Sequence, residues 1–414
     1  MSELRVRLVT SFTDIDPAAW DACANPRALG ENPAEPRALG EEPRATLQLE
    51  RYNPFLTHAF LSACETSGSA VGRSGWAGAH VLVEDSAGKL VAAAPTWIKS
   101  HSMGEYVFDW SWAEAYERAG GRYYPKLLVG VPFTPVQGRR LLIAGGLDPE
   151  TEAAARDRLL AGLEAVRQKV EASSIHVNFL PESEWEALGE AGYLQRKGKQ
   201  FHFFNRGYGS FDGFLEALAS RKRKTIRRER RDAVANGIEI HKLTGKDITE
   251  EHWDAFFEFY LDTGARKWGR PYLNRAFYSR IGATMADRIL LVMAKRAGRW
   301  IAGAINFIGD DALYGRNWGC IEEHPFLHFE LCYYQAIEFA CERGLSRVEA
   351  GAQGEHKLAR GYEPVETYSA HHIADPRLAR AVADFLAAER EHVADEIDEY
   401  AEHVPFRKGE GADA

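Results

Sequence analysis

Two segments of the chain, one in each half, share a pattern that constrains the fold more than any other feature. Residues 80–98 (HVLVEDSAGKLVAAAPTWI) and residues 290–308 (LLVMAKRAGRWIAGAINFI) each predict a strand, a turn and a second strand. The small residues Ala92–Ala94 and Ala302–Ala304 occupy the same place in the second strand of each segment. A chain that contains this pattern twice is predicted to fold as two similar domains.

The elements that follow these hairpins repeat as well. In the first half, a helix predicted at 150–170 from its three- and four-residue apolar spacing precedes a strand at 174–180. In the second half, a helix at 328–344 precedes a strand at 346–351. We therefore expect an α/β (α+β) protein with mixed central sheets flanked by helices, and a domain boundary near residue 206.

The chain divides on this basis into an N-terminal domain, a C-terminal catalytic domain and a C-terminal helix with its tail, predicted at 1–205, 206–375 and 376–414. The string PRALGE occurs at 26–31 and again at 36–41. A duplication rich in Pro, Ala and Glu buries too little apolar surface to fold alone, so a flexible insertion is predicted at 24–48.

Composition excludes several classes of protein. The chain has 414 residues, 45% of them hydrophobic, and a net charge of −9, which argues against generic coating of nucleic acid. Its N-terminus lacks an apolar signal region, and no apolar run approaches the ~18 residues of a membrane span. We expect a cytoplasmic protein, with peripheral contact to the inner membrane left open. The five cysteines form no C-x-x-C pair and the histidines lack ligand spacing, so neither a metal site nor a disulfide framework is predicted.

Long strings of the sequence resemble a known family. Residues 220–240 (SRKRKTIRRERRDAVANGIEI) resemble the basic helix of the Fem-type transferases, whose two halves are each built on the GNAT acyltransferase fold. Four further strings between about residues 50 and 400 resemble the FemAB-like family of predicted N-acyltransferases, often labelled peptidoglycan biosynthesis or recognition: NPFLTHAFL, FDWSWAEAYERAGGRYYPKLLVGVPFTPVQGRRLL, HFELCYYQAIEFACERGL and EAGAQGEHKLARGYEPVETYSAHHI.

The resemblance implies tandem GNAT-like domains and transfer of an acyl group from a thioester, acyl-CoA or an acyl carrier protein, to a primary amine. That amine would belong to a cell-envelope precursor or be a long-chain, sphingoid-type amine. Ordinary GNAT enzymes hold the CoA pyrophosphate on a Gly-rich turn, and at that place this chain has GRNWGCIEEHPFLHFEL. Two alternatives stay open: a Fem-type transferase that uses aminoacyl-tRNA, and a non-catalytic module that recognises cell-wall fragments. The oligomeric state is not predicted.

Ionisable residues crowd between glycines at 349–364 (EAGAQGEHKLARGYEP). A primary amine must lose its proton before it attacks a carbonyl, and Glu355 or His356 could accept that proton. The same stretch offers Gln353, Lys357 and Arg360 for substrate binding. A polar surface turn with solvated charges is the alternative interpretation.

The helix that begins near residue 328 adds three candidates for the chemistry. His328 and Glu330 lie near its start, where backbone N–H groups can receive an anion. Glu330 could equally complement the helix dipole. Tyr333 is the third candidate; Tyr333 and Tyr334 differ by ~100° around the helix, so only one of them faces a site easily.

In the first half, the segment FDWSW at 108–112 contributes Asp109, Trp110 and Trp112. As a strand, it would direct Asp109 to one face and the two tryptophans to the other. Aromatic side chains with one carboxylate suit an amine-bearing ligand, and packing between domains is the alternative. With Tyr116 and the distant Trp318, these residues complete the predicted substrate-binding set.

The run RKRKTIRRERR has eight basic residues among eleven in an otherwise acidic protein. Like charges at this density repel one another, which favours a polyanionic partner such as CoA phosphates, a nucleotide-linked precursor, tRNA or anionic lipid. A solvated helix face is the alternative. The residues predicted to bind phosphate are Arg221, Lys224, Arg227 and Arg228.

Overall fold

The structure is a computed structural model that describes residues 3–26, 51–267, 271–351 and 354–407. All but the first residues of the insertion predicted at 24–48 lie outside this range. The helices, in chain order, are α1 (Pro17–Ala24), α2 (His58–Thr66), α3 (Trp110–Arg118), α4 (Pro149–Lys169), α5 (Glu182–Glu190), α6 (Phe211–Ala217), α7 (Ser220–Ala233), α8 (Glu250–Lys267), α9 (Arg275–Met285), α10 (Leu327–Phe329), α11 (Gln335–Arg343) and α12 (Pro376–Glu402).

The strands complete the element order. They are β1 (Arg5–Val9), β2 (Trp76–Gly78), β3 (His80–Glu84), β4 (Leu90–Ala94), β5 (Thr96–Lys99), β6 (Lys126–Val129), β7 (Leu142–Ile143), β8 (Ser174–Leu180), β9 (Leu194–Phe204), β10 (Ile238–Leu243), β11 (Ile289–Arg296), β12 (Arg299–Ile308), β13 (Ala312–Cys320), β14 (Arg347–Glu349) and β15 (Tyr362–Ile373).

The chain forms two compact units. The first contains the described residues up to 198 together with 366–394, and the second contains 199–365 and 395–407. The domain limits predicted from the sequence, at 205/206 and 375/376, stay a proposal.

The first unit combines two groups of strands. β1, β3, β4 and β7 form an antiparallel sheet in the order β1-β3-β4-β7. In the second group β2, β5 and β6 are antiparallel, while β6 and β8 run parallel. Helix α4 covers the first sheet closely, because at Gly162 an added Cβ would lie 2.6 Å from Val81. Their contact surface is part of one core cluster, which includes Val83, Ala94, Leu159 and Leu163.

The second unit has one mixed sheet, in the order β10-β11-β12-β13-β14 followed by residues 199–204 of β9. All its neighbours are antiparallel except β13 and β14, which run parallel. Its core cluster joins this sheet to α6, α7 and α11 through residues that include Phe203, Phe214, Ile226, Leu313 and Ile337. The α/β class with mixed sheets flanked by helices, predicted from the sequence, is confirmed.

The hairpin pattern predicted in each half is confirmed. β3 and β4 pair across a turn at Asp85–Lys89, and β11 and β12 pair across the turn at Ala297–Gly298. In the second strand of each hairpin the alanines are buried: these are Ala92 to Ala94 in β4, and Ala302 and Ala304 in β12.

Two local predictions were wrong. The segment 108–112 is not a strand, since Asp109 precedes α3 and its buried carboxylate pairs with Lys126 of β6. The basic run lies on α7, which is separated from α6 where Leu218 bridges to Phe406.

The second error concerns the helix expected at 328–344. It consists of α10, a π-helical segment (Glu330–Tyr334) and α11. A π-helical turn widens the helix by one residue and shifts the side chains that follow it. None of the helices in the described part of the chain combines the length and apolar character needed to cross a bilayer.

Gly319 on β13 should be essential for stability. A Cβ at this position would lie 2.1 Å from the carbonyl oxygen of Phe259, so α8 would have to move away from the sheet. We predict that Gly319→Ala lowers the free energy of unfolding by about 2–3 kcal/mol, as overpacking against backbone does. Urea denaturation measures the loss.

Gly315 on the same strand provides the control. Its added Cβ would lie 3.2 Å from the Asn306 side chain, and the nearest backbone atom, the carbonyl oxygen of Glu349, would be in ordinary van der Waals contact at 3.7 Å. Gly315→Ala should cost less than about 1 kcal/mol, since a side chain can yield where backbone cannot. Equal losses in the two variants would contradict the assigned contact.

Candidate functional site

The parallel strands β13 and β14 separate after three residue pairs, which are Ala312–Arg347, Leu313–Val348 and Tyr314–Glu349. β13 continues to Cys320 whereas β14 ends at Glu349, so their carboxyl ends diverge. In open α/β sheets, ligands bind outside the carboxyl ends of parallel strands. The candidate site is therefore the group of residues around this divergence.

The turn that carries His356 lies between two glycines. Gly354 and Gly361, with φ of 119° and 88°, flank a 3₁₀ helix (Glu355–Arg360), and these left-handed backbone angles favour glycine. His356 is exposed, and its Nε2 lies 2.8 Å from the hydroxyl oxygen of Tyr333. Tyr333 is 4% exposed, and burial raises the pKa of its phenol, so the hydroxyl keeps its proton at neutral pH. The structure thus joins two of the predicted catalytic residues.

Aromatic rings surround this pair. We call Trp318, His328, Phe329, Tyr333 and His356 the aromatic wall. Ring centroids are 5.1 Å apart for Trp318 and His328, 5.5 Å for His328 and Tyr333, and 5.8 Å for Phe329 and His356. Such a surface can contact an apolar chain or, through its ring faces, an ammonium group. The predicted residues Trp318 and His328 both belong to it.

Because of the π-helical segment, the adjacent residues Tyr333 and Tyr334 both form contacts in the candidate site, although their partners differ. Tyr333 contacts His356, whereas the hydroxyl of fully buried Tyr334 donates to the carboxylate of Glu229. Arg360, a predicted substrate-binding residue, lies 3.1 Å from the same carboxylate and is 7% exposed. Its charge is therefore engaged within the protein.

A second group of ionisable residues lies beneath the turn. Lys357 is 1% exposed, and its Nζ donates to the carbonyl oxygen of Gly351 at 3.0 Å. Burial first, and the positive charge of Arg316 second, lower the pKa of Lys357 to about 7. Glu349 is equally buried, and its carboxylate lies 3.9 Å from Arg316. The sequence predicted Lys357 as a substrate-binding residue, and the structure buries it as a lysine whose pKa lies near neutral pH.

Glu330 has a different environment from His328. It is 2% exposed, accepts hydrogen bonds from Arg230 at 2.9 Å and from Gln335 at 2.7 Å, and thus is held within an ion pair. Gln353 lies outside the described residues, and so does the side chain of Glu355.

The four residues predicted to bind phosphate are all exposed on α7, where Lys222 and Arg231 add two further exposed cations. Arg227 lies 3.4 Å from Asp212, and the predicted Arg221, Lys224 and Arg228 follow one another along one face. The inward stripe of the helix contains Ile226, Glu229 and Ala233. The basic run therefore presents a cationic face to solvent.

In the first unit, Asp109 belongs to a buried ion cluster. Its carboxylate accepts hydrogen bonds from Lys126 at 2.5 Å and from the hydroxyl of Tyr123 at 2.7 Å. Lys126 also donates to Glu105 at 2.8 Å, and Lys99 lies 3.7 Å from Glu105. Burial would raise the pKa of Asp109, and the adjacent Lys126 outweighs burial and lowers it below the usual value. Burial lowers the pKa of Lys99 to about 7.

The predicted aromatic residues of the first unit are not gathered in one place. Trp110 is 54% exposed and packs on Phe108, with centroids 5.1 Å apart. Trp112 is buried against His371, and the hydroxyl of Tyr116 donates to Asp375 at 3.2 Å. Two buried histidines lie in this region: Nδ1 of His176 is 2.7 Å from Nδ1 of His371.

Sequence reasoning missed several residues of these groups, among them Glu229, Arg316, Glu349, Lys126 and Glu105. Only Glu229 carried a signal, as the single acidic residue within the run RKRKTIRRERR. The others are isolated charges in apolar strands or loops, where the sequence gives no partner. Within the four described segments, no group of His, Cys, Asp and Glu could hold a metal ion.

Comparison with known proteins identifies the family. A model for the FemAB-like proteins, described as peptidoglycan biosynthesis/recognition, matches residues 11–408. This chain belongs to the FemAB-like family. No curated protein matches it significantly.

Solved structures resemble this FemAB-like chain at low sequence identity. FemX is 11% identical with a TM-score of 0.53, and the match covers 91% of this chain and 100% of FemX. This likeness shows the fold, and it agrees with the tandem GNAT-like architecture predicted from the sequence. L-PGS from Bacillus licheniformis is 12% identical with a TM-score of 0.47, covering 84% of this chain and 99% of that chain.

A tandem GNAT protein from the clavulanic acid biosynthesis pathway is also 12% identical, with a TM-score of 0.41 and coverage of 90% and 99%.

In this FemAB-like protein, Asp109 is either a structural partner within the buried ion cluster or a substrate-binding residue, and a stability measurement distinguishes the two roles. Asp109→Ala leaves Lys126 buried with only part of its compensation, so we predict a loss of about 3 kcal/mol in the free energy of unfolding. Exposed Glu114 on α3 supplies the control, and Glu114→Ala should change stability little. A stable Asp109→Ala protein that had lost only ligand binding would support the substrate-binding role instead.

Lys357 should make stability depend on pH. The unfolded lysine keeps its proton to about pH 10, whereas the folded one releases it above about pH 7. Between these values the unfolded state binds more protons, so stability rises with pH. We predict that the free energy of unfolding of Lys357→Met exceeds that of the parent by the largest amount below pH 7. Above pH 7 this difference should shrink by about 1.4 kcal/mol per pH unit, because the parent becomes more stable as its lysine loses its proton.

Urea denaturation at pH 6 to 9.5 measures the difference between the two proteins. The exposed Lys222 is the matched control, because Lys222→Met makes the same Lys→Met substitution at an amine that is in solvent and not buried. Parallel stability curves for the parent and Lys357→Met would refute the lowered pKa.

Proposed function

We propose that this FemAB-like protein is an N-acyltransferase. It transfers an acyl group from a thioester, acyl-CoA or an acyl carrier protein, to the primary amine of a cell-envelope precursor or of a long-chain amine. The observation that carries the proposal is the 2.8 Å contact between the Tyr333 hydroxyl and Nε2 of His356, which holds one ring nitrogen of an exposed imidazole against a buried hydroxyl. Family membership supports a transferase of acyl or aminoacyl groups in general.

The reaction proceeds by direct attack. The amine nitrogen bonds to the thioester carbonyl carbon, the C–S bond breaks, and the thiolate leaves. His356 takes the proton from the attacking amine and returns it to the departing sulfur, as a general base and then a general acid. Nε2 of His356 carries a hydrogen and donates it to the hydroxyl oxygen of Tyr333, so Nδ1 is the atom that accepts the proton of the amine. Burial raises the pKa of Tyr333, so its phenol stays neutral.

Other predicted residues take supporting roles in this proposal. Trp318, His328 and Phe329 of the aromatic wall contact the acceptor, which suits an amine with an apolar body. The cations on α7 bind the phosphates of the donor. Glu330 takes no catalytic role, because Arg230 and Gln335 already engage its carboxylate.

The cationic face of α7 favours a second candidate, a transferase that uses aminoacyl-tRNA. Six exposed basic side chains offer more positive charge than the phosphates of one CoA require: Arg221, Lys222, Lys224, Arg227, Arg228 and Arg231. A nucleic-acid backbone would use them all, and its binding would weaken steeply with salt. The acid–base roles of His356 and Tyr333 are the same in both candidates, since an ester replaces the thioester.

Thermal stabilisation of the purified protein distinguishes the donors, because a ligand that binds the folded state raises the melting temperature. We expect acyl-CoAs of rising chain length to stabilise the protein more strongly than free CoA. If no CoA raises the melting temperature and aminoacyl-tRNA does, the donor is the ester of an aminoacyl-tRNA and not a thioester. No response to either donor would favour the binding module.

Variants of the proposed acid–base pair test the chemistry. We predict that His356→Gln lowers the rate of transfer by about 10²- to 10⁴-fold, while donor binding stays unchanged. Tyr333→Phe should reduce the rate less, since it removes the orienting hydroxyl and leaves the imidazole. The rate of product formation and the donor affinity are measured separately.

The exposed His392 on α12 provides the control, and His392→Gln should keep the parent rate. A His356→Gln protein with lower affinity and an undiminished rate would refute the acid–base role of His356. Melting temperatures of all variants check that they remain folded.

A further inference from the structure

The only acidic residue within the basic run 221–231 of α7 faces the interior. Ile226, Glu229 and Ala233 are buried on one side of the helix, three and four residues apart, while five of the six exposed cations occupy the other side. A carboxylate on the outer face would merely offset neighbouring charges. Glu229 instead is 7% exposed, and a buried carboxylate requires partners within the protein.

Those partners come from two other elements. Both carboxylate oxygens of Glu229 accept hydrogen bonds from Nη2 of Arg360, at 3.1 and 3.2 Å. The hydroxyl of Tyr334, in the π-helical segment, donates to the same carboxylate. Both side chains of the ion pair are 9% exposed, so little solvent screens it.

The other side of the Arg360 guanidinium reaches the turn that carries His356. Its Nη1 donates to the backbone carbonyl oxygen of His356 at 2.8 Å. Its guanidinium carbon lies 3.4 Å from the ring centroid of Phe329, which packs against the His356 imidazole. Arg360 therefore fixes both the backbone of His356 and the ring beside it.

We propose that Glu229 is a positioning residue for His356. The carboxylate sets the direction of the Arg360 guanidinium, and Arg360 then holds the His356 turn so that the imidazole meets the hydroxyl of Tyr333. Removing the carboxylate leaves a buried guanidinium without its anion. Arg360 reorients, the carbonyl of His356 loses its donor, and the imidazole leaves Tyr333. The effect of Glu229 on catalysis rests on the proposed function, whereas its effect on the position of the His356 imidazole does not.

The neighbouring residue on α7 forms a matched ion pair. Arg230 binds Glu330 at 2.9 Å, and Glu330 is 2% exposed, so its burial and chemistry are close to those of the Glu229–Arg360 pair. Glu330 also accepts from Gln335, and none of its hydrogen bonds involves the His356 turn. Glu330→Gln thus weakens a similar pair and should leave His356 in place.

The test records the ring-nitrogen resonances of His356 by NMR on ¹⁵N-histidine-labelled full-length protein without ligand. His356→Gln assigns the resonance by its disappearance. We expect the His356 resonance to shift in Glu229→Gln and to stay at the parent position in Glu330→Gln. Arg360→Lys should shift it in the same direction as Glu229→Gln, because lysine cannot hold the carboxylate and the carbonyl with the same planar geometry.

A parent-like His356 resonance in Glu229→Gln would overturn the proposal, and so would an equal shift in Glu330→Gln. If Glu229→Gln does not fold, Arg360→Lys decides by the same criterion. Transfer assays of His356→Gln are read separately. If that variant keeps full activity, the proposed function fails, while the NMR result still shows whether Glu229 positions the imidazole.

Discussion

The divergence of β13 and β14 is the constraint on which the second unit depends. Parallel pairing lasts for three residues, and it ends at Tyr314 and Glu349. Arg316, two residues further along β13, lies 3.9 Å from the Glu349 carboxylate. The turn between Gly354 and Gly361 occupies this region. Within the turn, Lys357 is buried and His356 is exposed to solvent. One interruption of strand pairing thus creates both the buried charges and the exposed imidazole.

Buried charges in this protein are stabilised in two different ways. In the first unit, Lys126 lies within hydrogen-bonding distance of two carboxylates, so opposite charges compensate one another directly. In the second unit, Lys357 has a backbone carbonyl as its partner, and its lowered pKa removes the charge instead. Burial in a protein favours whichever of these outcomes the neighbouring groups allow.

The sequence predicted those features that repeat or have a period. The paired hairpins and the α/β class followed from strand patterning. His356 and Tyr333 were each predicted as catalytic candidates, whereas their contact was not predicted. The helix at Trp110 and the break at Leu218 were not predicted either, because a buried ion pair and a bridge to Phe406 contribute to them, and both partners are distant in sequence. The burial of Lys357 escaped prediction for the same reason, since burial is a property of the surrounding elements.

The contact between His176 and His371 has a consequence of its own. Only one of two Nδ1 atoms 2.7 Å apart can carry a hydrogen, so the imidazoles must be opposite tautomers. Nε2 of His176 faces the hydroxyl of Ser174 and Nε2 of His371 faces that of Ser369, and each hydroxyl can rotate to donate or accept. The interior therefore admits two proton arrangements of equal charge, which differ in the tautomer of each imidazole and in whether each serine hydroxyl donates or accepts.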